Sequence, residues 1–383
     1  MILKDTNIIK IDKAIKTMVL LISFSLPVSE KLCSVFIGLT TILLIFKGRF
    51  LKLPKHYLLF VLVFFALLFH FLNETGFDLK IFERRLSFLI LPFIIVNAQV
   101  VKHKIYKAFI IGTISSYLIL MGIAFFKFIE NGYSFVSRGC ITCTWFNSIP
   151  KSANFLFHSQ FTEYTHHSYF GVLVTLSLLL LYFVRNNFSK KRLYLFAIVL
   201  VLALFQSFSL VSFIIAGSIL MLIILKKPLG KLIRNLQVLV ITFQALVVLA
   251  FFLISSISTD NRLFLWKSST ELIKENRFIG VGIIKVKKQL YQYTEHKEKI
   301  KGFNAHNQYL QYILEYGLLP FLVLGYFYIK EVGLIKKREY QLIGAVFLLF
   351  GFVESFLARA LGIMMFSFFY SIIYKFKNNE EHY

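Results

Sequence analysis

Long apolar runs alternate with short polar segments along the whole chain. A helix needs roughly 20 apolar residues to cross the hydrocarbon core of a bilayer, so runs of this kind are typical of transmembrane helices. The pattern predicts an all-α polytopic membrane protein with about twelve transmembrane helices. The predicted spans are 14–29, 33–46, 56–73, 86–99, 105–129, 165–184, 193–208, 210–225, 236–257, 307–329, 340–355 and 360–374.

Several spans are shorter than a full crossing, which favours kinked or partly re-entrant helices. Pro27, Pro92 and Pro320 lie in or beside spans and are candidates for the positions of such breaks. The boundary between 193–208 and 210–225 is the least distinct in the pattern.

Basic residues between the runs predict the orientation of the chain. Clusters of Lys and Arg precede the first span and follow every second helix, as in Lys47–Lys55, Arg185–Arg192 and Lys330–Arg338. Because short positively charged loops stay on the cytoplasmic side, both termini are predicted to be cytoplasmic. This orientation leaves residues 130–164 and 258–306 outside. The second is a large outer loop between helices 9 and 10.

Composition agrees with this class: 57% of the 383 residues are hydrophobic and 45 are Phe. The net charge of +24 would suggest nucleic acid in a soluble protein. Here the basic residues lie between the spans, so we predict the lipid bilayer as a partner and no nucleic acid. The whole chain, 1–383, is expected to form a single integral membrane domain.

Motifs for nucleotide or metal chemistry are missing from the sequence. There is no P-loop, no G-x-G-x-x-G and no H-E-x-x-H, and Asp occurs only at Asp5, Asp12, Asp78 and Asp260. We therefore expect chemistry on the outer side, with no cofactor and no metal. Cys140 and Cys143 fall in an outer loop, where a disulfide is possible but an incidental pair is the simpler interpretation.

The loop 258–306 carries one group of residues suited to an anion. Asp260 can cap a helix in which Arg262 and Trp266 share a face at i and i+4. A guanidinium held against an indole keeps its donors available for a phosphate. A Gly280-Val-Gly282 turn ends this unit, and six lysines follow. Those lysines are explained as well by solvation, or by attraction to anionic lipid head groups.

The second group is GFNAHNQYLQYILEYGL, residues 302–318. Asn304 is expected to cap the tenth helix, which would place His306 in its first turn at the outer boundary, where a neutral imidazole can accept a proton. Gln308, Gln311 and Glu315 then form a polar stripe that runs into the membrane. The alternative is an interfacial histidine with ordinary hydrogen bonds.

Other polar residues collect at the outer helix ends of the predicted topology. They are His70 with Glu74, Glu83 with Arg84 and Arg85, His166 with His167, Gln206 to Ser212, and Glu354 with Arg359. Some are expected to be structural, since Glu354 can pair with Arg359 across a short turn. Together they predict a cavity at the outer leaflet that suits a lipid pyrophosphate.

These residues resemble the signature of the O-antigen ligase and O-antigen polymerase superfamily of membrane glycosyltransferases. The resemblance is carried by Arg262-Leu-Phe-Leu-Trp266, by Ile279-Gly-Val-Gly282 and by the segment from His306 to Leu318. Weaker elements are His167-Ser-Tyr169 and the Glu354-to-Gly362 segment. The O-antigen ligase-like region is expected to cover residues 160–365.

The resemblance implies a metal-independent enzyme of the bacterial inner membrane whose active site faces the periplasm. Such enzymes take a glycan from an undecaprenyl-pyrophosphate carrier and transfer it to a sugar hydroxyl. His306 would be the catalytic base, and Arg262, Arg85 and Arg359 would bind the pyrophosphate. Supporting roles would fall to Trp266, Asn307, Gln311, Glu315, His167 and Glu354.

One departure from the pattern affects the phosphate site. Many members have an arginine after a serine near 209–213, where this chain has Ser209-Leu-Val-Ser212. Arg85 and Arg359 are therefore the candidates to replace it. The missing arginine is also consistent with an inactive or scaffolding relative of these enzymes.

Two enzymatic functions and one transport function fit the sequence. Compact spacing of Arg262, Gly282 and His306 favours ligation of O-antigen to lipid A-core over polymerisation of repeat units onto a growing glycan. A transporter or flippase for an anionic glycolipid would also use a basic cavity. It would be expected to show inverted repeats and ionisable residues near the midplane, however, whereas the polar residues here favour one face.

Overall fold

The computed structural model describes residues 2–47, 79–131, 161–162, 165–224, 261–276, 278, 280–292, 304–333 and 337–377. The α-helices in these ranges are α1 Ile2–Ser25, α2 Glu30–Lys47, α3 Leu79–Asn97, α4 Lys102–Asn131, α5 His167–Phe183, α6 Lys190–Ser207, α7 Leu210–Ile224, α8 Asn261–Glu275, α9 Val286–Gln292, α10 Gln308–Tyr316, α11 Leu318–Gly333, α12 Arg338–Val353 and α13 Ala360–Lys377. Short 3₁₀ turns occupy Arg185–Asn187 and Phe356–Ala358, and the described ranges contain no strand. The predicted all-helical class is confirmed.

The predicted spans correspond closely to these helices. Spans 56–73 and 236–257 lie outside the described residues, and each of the other ten overlaps a helix. The indistinct boundary near 209 is a real break, because α6 ends at Ser207 and Phe208 adopts a left-handed conformation (φ 44°) before α7 begins.

The predicted span 307–329 is not one helix. It is divided at Gly317 into α10 and α11, and Gly317 has φ 87° and ψ 174°. That region of backbone space is essentially restricted to glycine, so the residue type sets the position of the break. Pro320 does not interrupt the chain, because it lies in the first turn of α11, where a missing N–H has no consequence.

By length and apolarity alone, one helix within the described ranges, Lys102–Glu130, is sufficient to span a membrane. Shorter apolar helices are His167–Phe183, Val211–Ile223 and Ala360–Phe376. The twelve crossings, and the assignment of 1–383 as one membrane domain, stay predictions.

The described helices belong to two compact units. The first comprises residues 1–47 and 99–226, in which α1 packs against α2 and α4, and α5 packs against α4, α6 and α7. Close approach of α4 to α1 depends on Gly112, because a Cβ there would lie 2.1 Å from the carbonyl oxygen of Phe24. Hydroxyl groups add polar contacts inside this unit, such as Ser177 Oγ donating to Thr113 Oγ1 at 2.8 Å.

The second unit comprises residues 48–98 and 227–383 and contains α3 and α8 to α13. Its helix α13 packs along α3 and against α12, while α10 contacts α8, α11 and α12. Aromatic side chains fill the space around α12 and α13; Phe350 and Phe356 stack with ring centroids 5.3 Å apart. All contacts of the candidate site described below lie within this unit.

The predicted outer loop 258–306 contains folded structure where it is described. Leu265 and Leu272 of α8, Val286 and Leu290 of α9, and Ala305 and Leu314 form one buried apolar cluster. Burial of this cluster removes apolar surface from water and so holds α8 and α9 against α10. Whether the loop is periplasmic stays a prediction.

Candidate functional site

The N-terminus of α10 is capped by Asn307. Its side-chain Oδ1 accepts hydrogen bonds from the backbone N–H groups of Tyr309 (2.9 Å) and Leu310 (3.1 Å). These two bonds satisfy donors that have no partner inside the helix. The prediction that Asn304 caps this helix is therefore wrong, and His306 precedes the helix rather than lying in its first turn.

Asn304 instead stabilises the turn that leads to the cap. Its Oδ1 accepts from the backbone N–H of His306 at 3.1 Å. His306 itself is left-handed, with φ 45°. This conformation costs a non-glycine residue on the order of 1 kcal/mol, so the neighbouring contacts must hold it in place.

His306 lies against a carboxylate from the end of α12. Its Nδ1 is 3.2 Å from Oε2 of Glu354, whose side chain is 4% exposed, against 17% for the imidazole. A carboxylate accepts a hydrogen bond only from a protonated ring nitrogen, so this contact favours the tautomer with hydrogen on Nδ1. The lone pair then resides on Nε2, which gives a proton acceptor oriented by an acidic partner.

Three further hydrogen bonds fix the segment around His306 to the segment that carries Glu354. The backbone N–H of Asn307 donates to Ser355 Oγ (3.1 Å), and its side-chain Nδ2 donates to the Phe352 carbonyl (3.1 Å). Gln308 Oε1 accepts from the backbone N–H of Leu357 (2.6 Å). The two segments are therefore held together on both sides of the His306–Glu354 contact.

A buried row of polar side chains extends along α10 from the same point. The backbone N–H of Ala305 donates to Gln311 Oε1 at 3.0 Å, and Gln311 Nε2 donates to Glu315 Oε1 at 2.8 Å. Glu315 Oε2 in turn binds Arg85 Nη2 of α3 at 2.9 Å. This chain of contacts runs from Arg85 to the residue next to His306.

Arg85 is buried together with its partner; the Arg85 and Glu315 side chains are 8% and 7% exposed. Its guanidinium carbon lies 5.8 Å from the centroid of the Tyr316 ring. Within the described residues, Nη1 of Arg85 has no hydrogen-bond partner. A buried donor without a partner is costly, and an anion at that position would satisfy it.

The Gly280-Val-Gly282 turn is attached to the far end of α10. Val281 N–H donates to the Leu314 carbonyl at 2.6 Å, and Gly280 has φ 76°. A Cβ on Gly280 would lie 2.6 Å from the backbone nitrogen of Gly317. The glycines of this motif thus allow direct contact between the turn and the break after α10.

Other predicted site residues are placed less directly. Arg262 and Trp266 both lie on α8, as predicted, but the Arg262 side chain is outside the described residues, so the proposed stacking stays a prediction. Arg359 is exposed and follows the 3₁₀ turn Phe356–Ala358. His167 is the first residue of α5 in the other unit, where its ring stacks on that of His166 with centroids 4.4 Å apart.

Residues Ser355 and Gln308 were not predicted to join the site. Both act through hydrogen bonds to backbone groups of a segment about fifty residues away in sequence. The only sequence signal for them is their position next to Glu354 and within the polar stripe of α10.

Metal binding receives no support from the described part of the chain, which contains no group of three His, Cys, Asp or Glu side chains that could hold an ion. Cys140 and Cys143 lie outside that part. Metal independence stays a prediction.

Residues 161–325 match the family model described as O-antigen ligase. The matched region includes Arg262, His306 and Glu315, and it ends before Glu354. No curated protein matches the chain. The resemblance to the O-antigen ligase and polymerase superfamily is therefore confirmed for this region, which implies a membrane setting and lipid-linked glycan substrates.

Proposed function

We propose that this chain, whose residues 161–325 belong to the O-antigen ligase family, is an inner-membrane glycosyltransferase. It moves a glycan from undecaprenyl pyrophosphate to a sugar hydroxyl on the periplasmic side, and lipid A-core is the favoured acceptor. The proposal is carried by one observation: the imidazole paired with a carboxylate follows Ala305, and hydrogen bonds lead from the Ala305 backbone through Gln311 and Glu315 to a buried arginine. Within the described residues, one guanidinium nitrogen of that arginine has no hydrogen-bond partner.

This arrangement supplies the two groups that the transfer needs. A sugar hydroxyl is a weak nucleophile until its proton is removed, and Nε2 of His306 is the proposed acceptor of that proton. The acceptor oxygen then bonds to the anomeric carbon while the bond from that carbon to the pyrophosphate oxygen breaks. The electron pair leaves with undecaprenyl pyrophosphate, so positive charge near the leaving group lowers the barrier.

Three arginines are proposed to hold the pyrophosphate. Arg262 lies near the N-terminus of α8 within the matched region. Arg85 offers Nη1 while Nη2 is held by Glu315, and this makes Arg85 the better replacement for the arginine that the family has near 209–213. Arg359 is exposed, so it is assigned only a peripheral part.

Transfer in vitro tests the proposal most directly. The full-length protein in nanodiscs is incubated with the lipid-linked glycan and the lipid A-core extracted from the corresponding deletion strain, with EDTA present. His306→Ala and Arg262→Ala should each reduce transfer by about 10²–10⁴-fold. His103→Ala and Lys267→Ala, which change a histidine of α4 and an exposed cation of α8, should retain it. Full activity of His306→Ala would contradict the mechanism.

The same deletion strain separates ligase from polymerase. Loss of a ligase leaves bare core and glycan stranded on its carrier, whereas loss of a polymerase leaves core that carries a single repeat. Loss of a flippase would instead leave the lipid-linked glycan on the cytoplasmic face. Unaltered lipopolysaccharide in the mutant would count against all three.

A further inference from the structure

The carboxylate of Glu354 lies outside the region that matches the family model, yet it contacts the proposed base. We propose that Glu354 is a positioning residue that holds His306 with hydrogen on Nδ1, so that Nε2 carries the lone pair toward the acceptor hydroxyl. This inference rests on the proposed function of His306 as the base.

The position of Glu354 is set by the end of α12. Its backbone N–H still donates to Phe350 O (3.0 Å), while its φ of −143° and ψ of 140° turn the chain away from the helix axis. The residue is 3% exposed. A carboxylate buried to this extent needs a hydrogen-bond donor, and Nδ1 of His306 is one at 3.2 Å.

The backbone of His306 is constrained independently of Glu354. His306 occupies a left-handed conformation between two asparagines whose side chains bond backbone groups on either side. Asn307 is also bonded to Ser355 Oγ, directly after Glu354. The backbone of His306 is therefore held without the side chain at 354, and we expect a change of that side chain alone to alter mainly which ring nitrogen carries the proton.

An ion pair between Glu354 and Arg359 is the competing arrangement. Arg359 follows a 3₁₀ turn whose first hydrogen bonds close on Ser355 and Phe356, and it is exposed to solvent. If the Glu354 carboxylate paired with Arg359, the pair would stabilise this turn and would leave the tautomer of His306 unaffected. The tautomer thus distinguishes the two roles.

Nitrogen NMR of histidine reads the tautomer without any assay of transfer. The full chain is labelled with ¹⁵N-histidine in nanodiscs, and the signals of His306 are identified by their loss in His306→Asn. The wild-type protein should show a protonated Nδ1 and an unprotonated Nε2. Glu354→Gln should move the proton toward Nε2, whereas Glu339→Gln, at the opposite end of α12, should not. An Nε2-protonated ring in the wild type, or an unchanged ring in Glu354→Gln, overturns the inference.

Measurement of kcat and KM for transfer provides a second test of the role of Glu354. Glu354→Gln should lower kcat by about 10-fold to 10³-fold with KM nearly constant, because the acceptor is still bound but Nε2 of His306 no longer carries the lone pair. Glu354→Asp should recover part of kcat. Size-exclusion profile and membrane abundance must match the wild type, and Arg359→Gln should keep the wild-type tautomer.

Failure of the inference and failure of the proposed function give different results. If His306→Ala abolishes transfer while Glu354→Gln retains wild-type kcat, His306 is the base and Glu354 does not position it. If His306→Ala transfers normally although Glu354 controls the tautomer, the proposed function of His306 is wrong and the structural coupling stands.

Discussion

Arg85 and Glu315 form a buried ion pair across 230 residues of sequence, with Nη2 and Oε2 2.9 Å apart. Each side chain brings a charge that would be costly to bury alone, so each determines where the other can lie. The pair ties α3 to α10 and leaves the second nitrogen of the guanidinium unused by the described residues.

Removing one partner of this pair should destabilise the protein more than removing both partners together. Glu315→Leu leaves an unpaired buried guanidinium and should destabilise the protein by about 3–5 kcal/mol. The double variant Arg85→Met with Glu315→Leu should recover much of that loss. Melting temperature in detergent, read from intrinsic fluorescence, measures both. Glu271→Leu, an exposed carboxylate of α8, serves as the control. Equal loss in the single and double variants would contradict the interpretation of the contact.

Gly280→Ala should loosen the contact between the turn and the end of α10. The new methyl group would lie 2.6 Å from a backbone nitrogen, and φ 76° is unfavourable for alanine. Gly325→Ala is the matched control, because nothing lies within 4 Å of a Cβ there in α11. The first variant should lower the melting temperature and the membrane abundance, and the second should not. Similar values for both would show that the turn tolerates displacement.

The sequence predicted the helices well because their apolar runs are long and their boundaries polar. The prediction of one continuous span 307–329 was wrong at Gly317. Apolar residues lie on both sides of this break, and hydropathy does not report the unusual backbone conformation of the glycine. Helical spacing predicted that Gln308, Gln311 and Glu315 form one polar stripe, and the structure places all three on α10 as buried residues.

Long-range partners were not accessible in the same way. Both Asn304 and Asn307 have the right side chain for a helix cap, and contacts of Asn307 with Phe352 and Ser355 decide between them. For Glu354 the sequence allowed a supporting part in the site or a pairing with Arg359 across a short turn, because local pairing is all that a sequence can display. Its contact with His306 depends on how α12 ends beside α10.

Substitutions at Asn307 should separate capping from attachment to α12. Asn307→Asp keeps an oxygen acceptor for the N–H groups of Tyr309 and Leu310 but loses the donor to Phe352 O. Asn307→Ala loses both and should cost about 1 kcal/mol more, the typical value of a cap. Thermal denaturation ranks the variants. If Asn307→Asp is as unstable as Asn307→Ala, the cap contributes little and the prediction fails.

Arg85→Lys should weaken binding of the leaving group without removing the buried charge. Lysine can still pair with Glu315, but it lacks the planar fork that lets one nitrogen bind the carboxylate while the other meets an anion. Inorganic pyrophosphate should inhibit transfer by the wild-type protein, and its inhibition constant should rise about tenfold in Arg85→Lys, equivalent to one charge-assisted hydrogen bond. Lys267→Arg, an exposed substitution on α8, should leave that constant unchanged. An unchanged constant in Arg85→Lys, with normal folding, would mean that Arg85 only pairs with Glu315. Arg359 would then be the candidate for the second phosphate ligand.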